Sequence, residues 1–248
     1  MEIQIYPNPE ALSETAARLF GDAARKAVDK WGRFTVALSG GSSPERTYEL
    51  LASDPLKSSV PWQKTWVFWG DERFVPADDP ENNARMAREI LLDHVPIPSE
   101  QIFPIPTDGE PASAVKRYSK DLTSVFGEQP KFDLILLGLG ENGHTASLFP
   151  GTDVLDEQDR LVDSIFVREQ DQYRITLTVP VINNARKVAF LAFGRNKAEV
   201  VHQILDGEYR PWEMPAQLIK PSGQLYWLLD EEAGSLLKKE DGTDEEYK

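Results

Sequence analysis

The chain has 248 residues, 40% hydrophobic and 27% charged, which is typical of a globular protein and excludes a disordered one. It contains no cysteine, and this excludes disulfides, thiolate nucleophiles and cysteine-ligated metals. The formal net charge of -14 argues against nucleic acid or an anionic membrane as a partner, because both would be repelled. The N-terminus shows no secretory leader, and no apolar run has the roughly 20 residues of a membrane helix, so a cytoplasmic protein is expected.

Apolar strand-like runs alternate with amphipathic helical segments along the chain. Strands are predicted at 3–6, 34–39, 65–71, 132–140, 174–179, 187–194 and 224–230, and helices at 9–31, from 44, at 82–94, 111–126 and 195–205. This order predicts an α/β fold in which helices cover both faces of a mostly parallel sheet. We expect one domain over residues 1–237 and a polar, disordered tail over residues 238–248.

Ligands of such folds bind beyond the carboxyl ends of the strands, which directs attention to four strand-to-helix loops. The first loop, LSGGSSP at 38–44, contains Gly40 and Gly41, whose backbone can approach a ligand closely. The N–H groups of this loop and the hydroxyl of Ser42 predict a cradle for an anion. The alternative is a tight turn with serine caps. The segment is neither a P-loop nor the Gly-x-Ser-x-Gly elbow of a serine hydrolase.

The second loop, WGDERFVP at 69–76, places charged residues directly after an apolar strand. Arg73 is suited to clamp a phosphate or carboxylate in bidentate fashion. Asp71 is a candidate to position the ligand or to act as a base. The alternative is an ion pair at the surface, which is frequent and contributes little free energy.

The third loop, GLGENGHTASLFP at 138–150, holds one histidine after the most apolar strand. Imidazole has an ordinary pKa near 6.5, so neutral His144 can take a proton from water. Gly143 beside it would allow a close approach of a substrate. The alternative is a histidine that caps a turn.

The fourth loop, FGRNKA at 193–198, places Lys197 in the first turn of a predicted helix. The helix field disfavours a cation there, so an anion beside Lys197 would explain the position. A solvated surface lysine is the alternative. Arg174, which opens the run RITLTV, is a weaker candidate of the same kind.

At these loops the sequence resembles the 6-phosphogluconolactonase family. The matching runs, spread in order over nearly the whole chain, are LSGGSSP, WGDERFVP, LGLGENGHTASLFPG, RITLTVPVINNAR, FGRNKA and PAQLIKPSGQLYWLLD. The resemblance implies a three-layer, modified Rossmann-like α/β/α fold, shared with glucosamine-6-phosphate deaminases and ribose-5-phosphate isomerases. It also implies hydrolysis of 6-phosphoglucono-1,5-lactone to 6-phosphogluconate in the oxidative pentose phosphate pathway, with no cofactor and no metal.

One position departs from the family pattern. The family usually reads Pro-Asp-Gly-His in the third loop, whereas this chain has Asn142 in place of the aspartate. An amide cannot act as a base, which weakens a deaminase or isomerase interpretation. Loss of a negative neighbour would lower the pKa of His144 and so change the pH dependence.

Our mechanistic hypothesis is that His144 activates a water molecule for attack on the lactone carbonyl. Ser42, Arg73 and Lys197 would hold the phosphate of the phosphorylated sugar lactone, while the donors to the oxyanion stay open between loop N–H groups and an arginine. The alternatives are a deaminase or isomerase of the same fold with Asp71 as carbon base, and a non-catalytic sugar-phosphate-binding protein. A dinucleotide-binding dehydrogenase is disfavoured, because Gly-x-Gly-x-x-Gly occurs only once and late, at 138–143.

Overall fold

A computed structural model of the protein describes residues 1–238, which form two sheets and the helices around them. The strands are β1 (Glu2–Tyr6), β2 (Phe34–Leu38), β3 (Thr65–Trp69), β4 (Asp71–Arg73), β5 (Leu134–Leu137), β6 (Val162–Val167), β7 (Gln172–Leu177), β8 (Lys187–Ala192) and β9 (Gln224–Asp230). The helices are α1 (Pro9–Trp31), α2 (Glu45–Leu51), α3 (Leu56–Ser59), α4 (Asn83–Ile90), α5 (Pro111–Phe126), α6 (Val179–Asn183) and α7 (Ala198–Leu205).

The main sheet has six strands in the order β1-β9-β8-β5-β2-β3, and all its neighbouring pairs are parallel. Every residue of β2 and β5 is buried, as expected for central strands covered on both faces. The long helix α1 begins where the Asn8 side chain accepts the N–H of Ala11, and it ends at Gly32 in the left-handed region with φ 78°. The predicted α/β fold with a mostly parallel sheet is confirmed.

A second, antiparallel sheet has the order β4-β7-β6 and was not predicted. The prediction of one strand over 65–71 is wrong, because the chain leaves the main sheet at Gly70. The N–H of Gly70 still bonds to Leu38 of β2, but its carbonyl accepts the N–H of Leu177 at the end of β7. Strand β6 escaped prediction because the adjacent polar residues Asp163 and Ser164 interrupt the alternation of apolar side chains.

Two predicted helices have different bounds in the structure. Helix α4 ends at Ile90, and a separate 3₁₀ turn covers Leu92–His94. The segment 195–205 begins with a 3₁₀ turn at Arg195–Lys197, so Lys197 lies immediately before α7. Of the predicted tail 238–248, all but the first residue lies outside the described residues. Within residues 1–238, the helices lack the combination of length and apolar character that a bilayer crossing requires.

Candidate active site

One cavity of about 280 Å³ is lined by residues from all four loops singled out in the sequence. Eight of the nine predicted site residues line it: Gly40, Gly41, Ser42, Asp71, Arg73, His144, Arg174 and Lys197. Further lining comes from Asn83, Phe149 and Gln170, which the sequence analysis did not single out. The cavity lies beyond the carboxyl ends of β2, β3 and β5, where an α/β sheet is expected to bind its ligands.

Two buried tyrosines fix the points at which the strands end and these loops begin. The Tyr48 hydroxyl accepts the N–H of Ser39 at 3.1 Å and donates to the carbonyl of the same residue at 2.8 Å. Tyr118 does the same for Trp69, with distances of 2.9 and 2.8 Å. Burial raises the pKa of both phenols. Through these hydrogen bonds each hydroxyl satisfies a backbone N–H and a backbone C=O that would otherwise be buried without a partner.

The glycine loop presents backbone donors to the cavity. Among residues 1–238, no acceptor takes the N–H groups of Gly40, Gly41, Ser42 or Ser43. Gly41 has φ 74°, a conformation that favours glycine and is common in loops whose successive N–H groups bind an anion. These four N–H groups are available to an anion.

Three basic side chains face the same cavity. Arg73 and Arg174 are direct partners across the antiparallel pair of β4 and β7, an arrangement that is unfavourable for like charges. Arg174 is only 8% exposed, its Nη2 donates to Gln170, and its buried Nε has no acceptor. Within the described part of the chain, neither arginine nor Lys197 forms an ion pair, although acidic residues outnumber basic ones by 41 to 27.

We call these three side chains and the four loop N–H groups the anion seat. Concentrated positive charge without a carboxylate partner is unfavourable in the free protein, and a bound anion would offset it. The seat thus overcomes locally the repulsion that the overall negative charge predicts, because distant surface carboxylates are screened over about 8 Å at physiological salt.

His144 is held in a defined orientation and tautomer. The Oδ1 atom of Asn142 contacts Nδ1 of the imidazole at 2.5 Å and also accepts the backbone N–H of His144. An oxygen acceptor at Nδ1 places the ring proton there, which leaves Nε2 as the basic nitrogen. The ring stacks on Phe149 with centroids 4.2 Å apart. It also lies close to Gly140, where an added Cβ would be 2.0 Å from Nδ1.

The pKa of His144 is lowered to about 4. Burial is the main cause, followed by the positive charges of Arg174, Lys197 and Arg73. The direction agrees with the expectation from Asn142, but the causes are burial and the anion seat. At neutral pH the imidazole is therefore uncharged and able to accept a proton.

Asp71 lies in the cavity wall with a fixed carboxylate. It is 8% exposed, and its Oδ2 accepts the hydroxyl of Ser147 at 2.7 Å. Ser147 belongs to the same loop as His144, so this bond ties the second and third loops together. Asp71 is therefore placed to accept a hydrogen bond from a ligand hydroxyl.

Gly143 is the predicted site residue that does not line the cavity among the described residues. It has φ 79°, and a Cβ on it would lie 2.6 Å from Sδ of Met214. Its carbonyl accepts the N–H of Ala216. Its glycine character thus follows from packing against the segment 214–216, which supports the loop of His144. The amides of this loop also bond to one another, Gly143 to Gly140 and Gly140 to His144, unlike a dinucleotide-binding turn.

Glu72 is a supporting residue that the sequence analysis did not find. Its fully buried carboxyl group accepts the N–H groups of Asn83, Ala84 and Arg73 at 2.7 to 2.9 Å. Burial raises the pKa of Glu72 to about 8, and these three hydrogen bonds oppose the rise. Two of these donors belong to the N-terminus of α4, where an acceptor is favourable. Sequence could not reveal this role, because it depends on a helix that begins eleven residues later.

We expect Glu72→Gln to lower the free energy of unfolding by about 1–3 kcal/mol. The amide replaces one accepting oxygen by an NH₂ donor that faces a backbone N–H, and the site is too buried for water to compensate. Urea denaturation monitored by circular dichroism measures the change. Glu89→Gln is the matched control, because Glu89 is exposed and its carboxylate pairs, within residues 1–238, with Arg85 alone; a loss of at most about 0.5 kcal/mol is expected. Equal losses in both variants would contradict the role of Glu72.

The sequence pattern of the glucosamine-6-phosphate isomerase/6-phosphogluconolactonase family matches residues 7–227. The chain belongs to this family. It is 43% identical over 243 residues to a 6-phosphogluconolactonase from Synechocystis sp., which covers 96% of this chain and 98% of the relative.

Solved structures of the family superimpose closely. A 6-phosphogluconolactonase from Trypanosoma brucei matches with a TM-score of 0.85 and 33% identity, over 96% of this chain and 98% of that one. A monomeric glucosamine-6-phosphate deaminase matches with a TM-score of 0.83 over 96% of this chain and all of that one. Its identity of 22% shows a shared fold alone. The fold therefore does not separate lactonase from deaminase, and the residues of the cavity must do so.

Proposed function

We propose that the protein hydrolyses 6-phosphoglucono-1,5-lactone to 6-phosphogluconate, the reaction that opens a phosphorylated sugar lactone in the oxidative pentose phosphate pathway. The observation that carries the proposal is a single cavity lined both by an uncharged, orientated His144 and by the anion seat, whose side chains form no ion pair within residues 1–238. Family membership and the 43% identical relative named 6-phosphogluconolactonase support it.

In the proposed reaction the anion seat binds the phosphate and so fixes the sugar ring. Nε2 of His144 takes a proton from a water molecule as the water oxygen attacks C1 of the lactone. The oxyanion that forms at C1 would be stabilised by hydrogen-bond donors other than those of the anion seat, which hold the phosphate at the far end of the sugar. The imidazolium then donates its proton to the ring oxygen as the bond from C1 to that oxygen breaks, and the product carboxylic acid releases a proton to solvent. Asp71 orientates the sugar ring by accepting a hydrogen bond from one of its hydroxyl groups.

The charge on the seat assists the second step. An imidazole whose pKa lies near 4 is a modest base, but its protonated form is a strong acid toward a departing alkoxide. A lactone needs little activation for attack, so protonation of the leaving oxygen is the step for which such an acid is well suited. Binding energy from the phosphate holds the ring in place and so contributes to the rate as well as to affinity.

One observation disfavours the deaminase or isomerase alternative. Asn142 stands where an aspartate would be needed for proton transfer, and its side chain is engaged with His144. A non-catalytic sensor would need the anion seat, but would have no use for a histidine whose tautomer is fixed with Nε2 basic.

The deciding experiment compares three substrates at pH 7 after subtraction of spontaneous hydrolysis. We expect rapid hydrolysis of 6-phosphogluconolactone, kcat/KM lower by two or more orders of magnitude for unphosphorylated gluconolactone, and no ammonia from glucosamine 6-phosphate. Ammonia release would favour the deaminase. Binding of 6-phosphogluconate without turnover of the lactone would favour the sensor.

The imidazole of His144 should titrate near pH 4 in the free protein, because burial and three cations oppose its protonation. Adding 6-phosphogluconate should raise this pKa, since the phosphate dianion offsets the cations. NMR titration of the histidine ring protons measures both values, and the spectrum of His144→Ala identifies the resonance. A midpoint between 6 and 7 in the free protein would contradict the proposed environment.

Asn142→Asp changes the charge beside His144 with little change in side-chain shape, and the same titration measures its effect. The carboxylate keeps an acceptor at Nδ1 but adds a negative charge, so the pKa of His144 should rise by about one unit or more. The acid limb of kcat should move in the same direction. An unchanged pKa would show that residue 142 does not contact the ring in solution.

A further inference from the structure

Asn83 contacts two loops of the candidate site, the second loop and the glycine loop. It is the first residue of α4 and is 2% exposed. Its Oδ1 accepts a hydrogen bond from Nη1 of Arg73 at 2.9 Å, and its Nδ2 donates one to the backbone carbonyl of Asp71 at 3.0 Å. Both ends of the amide are therefore engaged within the second loop.

The same amide lies against the glycine loop. A Cβ built on Gly40 would be 1.8 Å from Oδ1 of Asn83 and 2.1 Å from its Cγ. Unlike Gly41, Gly40 does not have a positive φ, so backbone conformation does not require glycine there. The absence of a side chain at Gly40 is explained by the approach of Asn83, an explanation different from the cradle predicted from sequence.

The position of Asn83 is itself fixed by Glu72. The buried carboxyl group of Glu72 accepts the N–H groups of Asn83 and Arg73 through one oxygen, Oε1, which holds the two backbone segments together. The Arg73 guanidinium also donates to the carbonyl of Glu81, so within residues 1–238 its hydrogen-bond acceptors are neutral oxygens. Neutral acceptors orientate a guanidinium without cancelling its charge, whereas a carboxylate would compete with the ligand.

We propose that Asn83 is a positioning residue for anion binding, which holds the Arg73 guanidinium against the glycine loop so that both face one phosphate. This inference rests on the proposed function for the identity of the substrate. The predicted effect on phosphate binding does not depend on that identity and can be measured with inorganic phosphate. The amide acts through Arg73 and Gly40, and the histidine chemistry proceeds without it.

The test uses the full chain and measures KM and kcat for 6-phosphogluconolactone together with the Kd of inorganic phosphate by calorimetry. Asn83→Ala should raise KM and Kd by about tenfold, the effect of losing one hydrogen bond to a charged group, with kcat changed by less than about threefold. Asn83→Asp should raise both further, because its charge neutralises Arg73. Unchanged KM and Kd in Asn83→Ala would overturn the proposal.

A double-mutant cycle with Gly40 tests the contact directly. Gly40→Ala should raise Kd by about 30-fold or more in the wild-type background but by less than about threefold beside Asn83→Ala, since the smaller residue leaves room for the methyl group. Equal effects in the two backgrounds would overturn the proposal. If Gly40→Ala alone fails to fold, a folded double variant supports the contact and an unfolded one contradicts it.

The two proposals fail in different ways. If the wild type binds phosphate but does not hydrolyse the lactone, the proposed function is wrong, while the phosphate Kd values of the variants still decide the role of Asn83. If the wild type hydrolyses the lactone and Asn83→Ala behaves as wild type, the positioning role alone is wrong.

Discussion

His144→Ala is expected to lower kcat for 6-phosphogluconolactone by a factor on the order of 10²–10⁴, with KM nearly unchanged. The loss follows because the variant has no group that accepts the water proton and returns it to the ring oxygen. The anion seat stays complete, so the substrate still binds. Stopped assays measure the effect. The spontaneous hydrolysis of the lactone must be subtracted, because it would otherwise hide a weak residual activity of the variant.

His94→Ala is the matched control for this experiment. His94 is exposed, lies in the 3₁₀ turn after α4, and its ring forms a hydrogen bond with the carbonyl of Glu89, outside the cavity. We expect its variant to keep wild-type kcat and KM. If His144→Ala also retained wild-type turnover, His144 would have no part in the chemistry and the proposed mechanism would fail.

Arg174→Ala should lower kcat/KM for 6-phosphogluconolactone by about 10²-fold, as expected for losing charge-assisted hydrogen bonds at a buried position. For unphosphorylated gluconolactone the change should stay within about threefold, because that substrate offers no anion to the seat. The split arises from the position of Arg174, which is buried opposite Arg73 with an Nε that lacks an acceptor. Parallel kinetics with the two lactones measure it.

Arg168→Ala removes the same charge from a nearby exposed position and serves as the control. Arg168 lies in the 3₁₀ turn just before β7, and it is not among the described residues that line the cavity. We expect Arg168→Ala to leave kcat/KM unchanged for both lactones. Equal reductions with both lactones in Arg174→Ala would show that this arginine supports the fold rather than the phosphate.

The sequence located the candidate site because parallel strands bring their carboxyl ends to one edge. Because the strands are parallel, the loops after Ser39, Gly70 and Gly138 are expected at the same edge of the sheet. The charged and glycine residues in these loops are therefore predicted to lie close together. Lys197 was found by a different argument, its unfavourable position near a helix N-terminus. These inferences needed only strand order and local chemistry.

The supporting contacts could not be predicted, because they depend on close approach between distant segments. Asn83 looked like an ordinary helix residue, and only the structure shows it against Gly40. The contact of Gly143 with Met214 was likewise not predictable, and it explains the need for glycine there without a substrate. The small antiparallel sheet was missed because β4 has three residues and β6 is interrupted by polar side chains. Its consequence, the pairing of Arg73 with Arg174, was missed with it.

The central claim is that His144 and the anion seat act on opposite ends of one hexose phosphate. A crystal structure of the protein with 6-phosphogluconate tests it most directly. We predict the phosphate on Arg73, Arg174, Lys197 and the N–H groups of the glycine loop, with the C1 carboxylate within hydrogen-bond distance of Nε2 of His144. A phosphate bound outside this cavity, or a carboxylate beyond the reach of His144, would contradict the account.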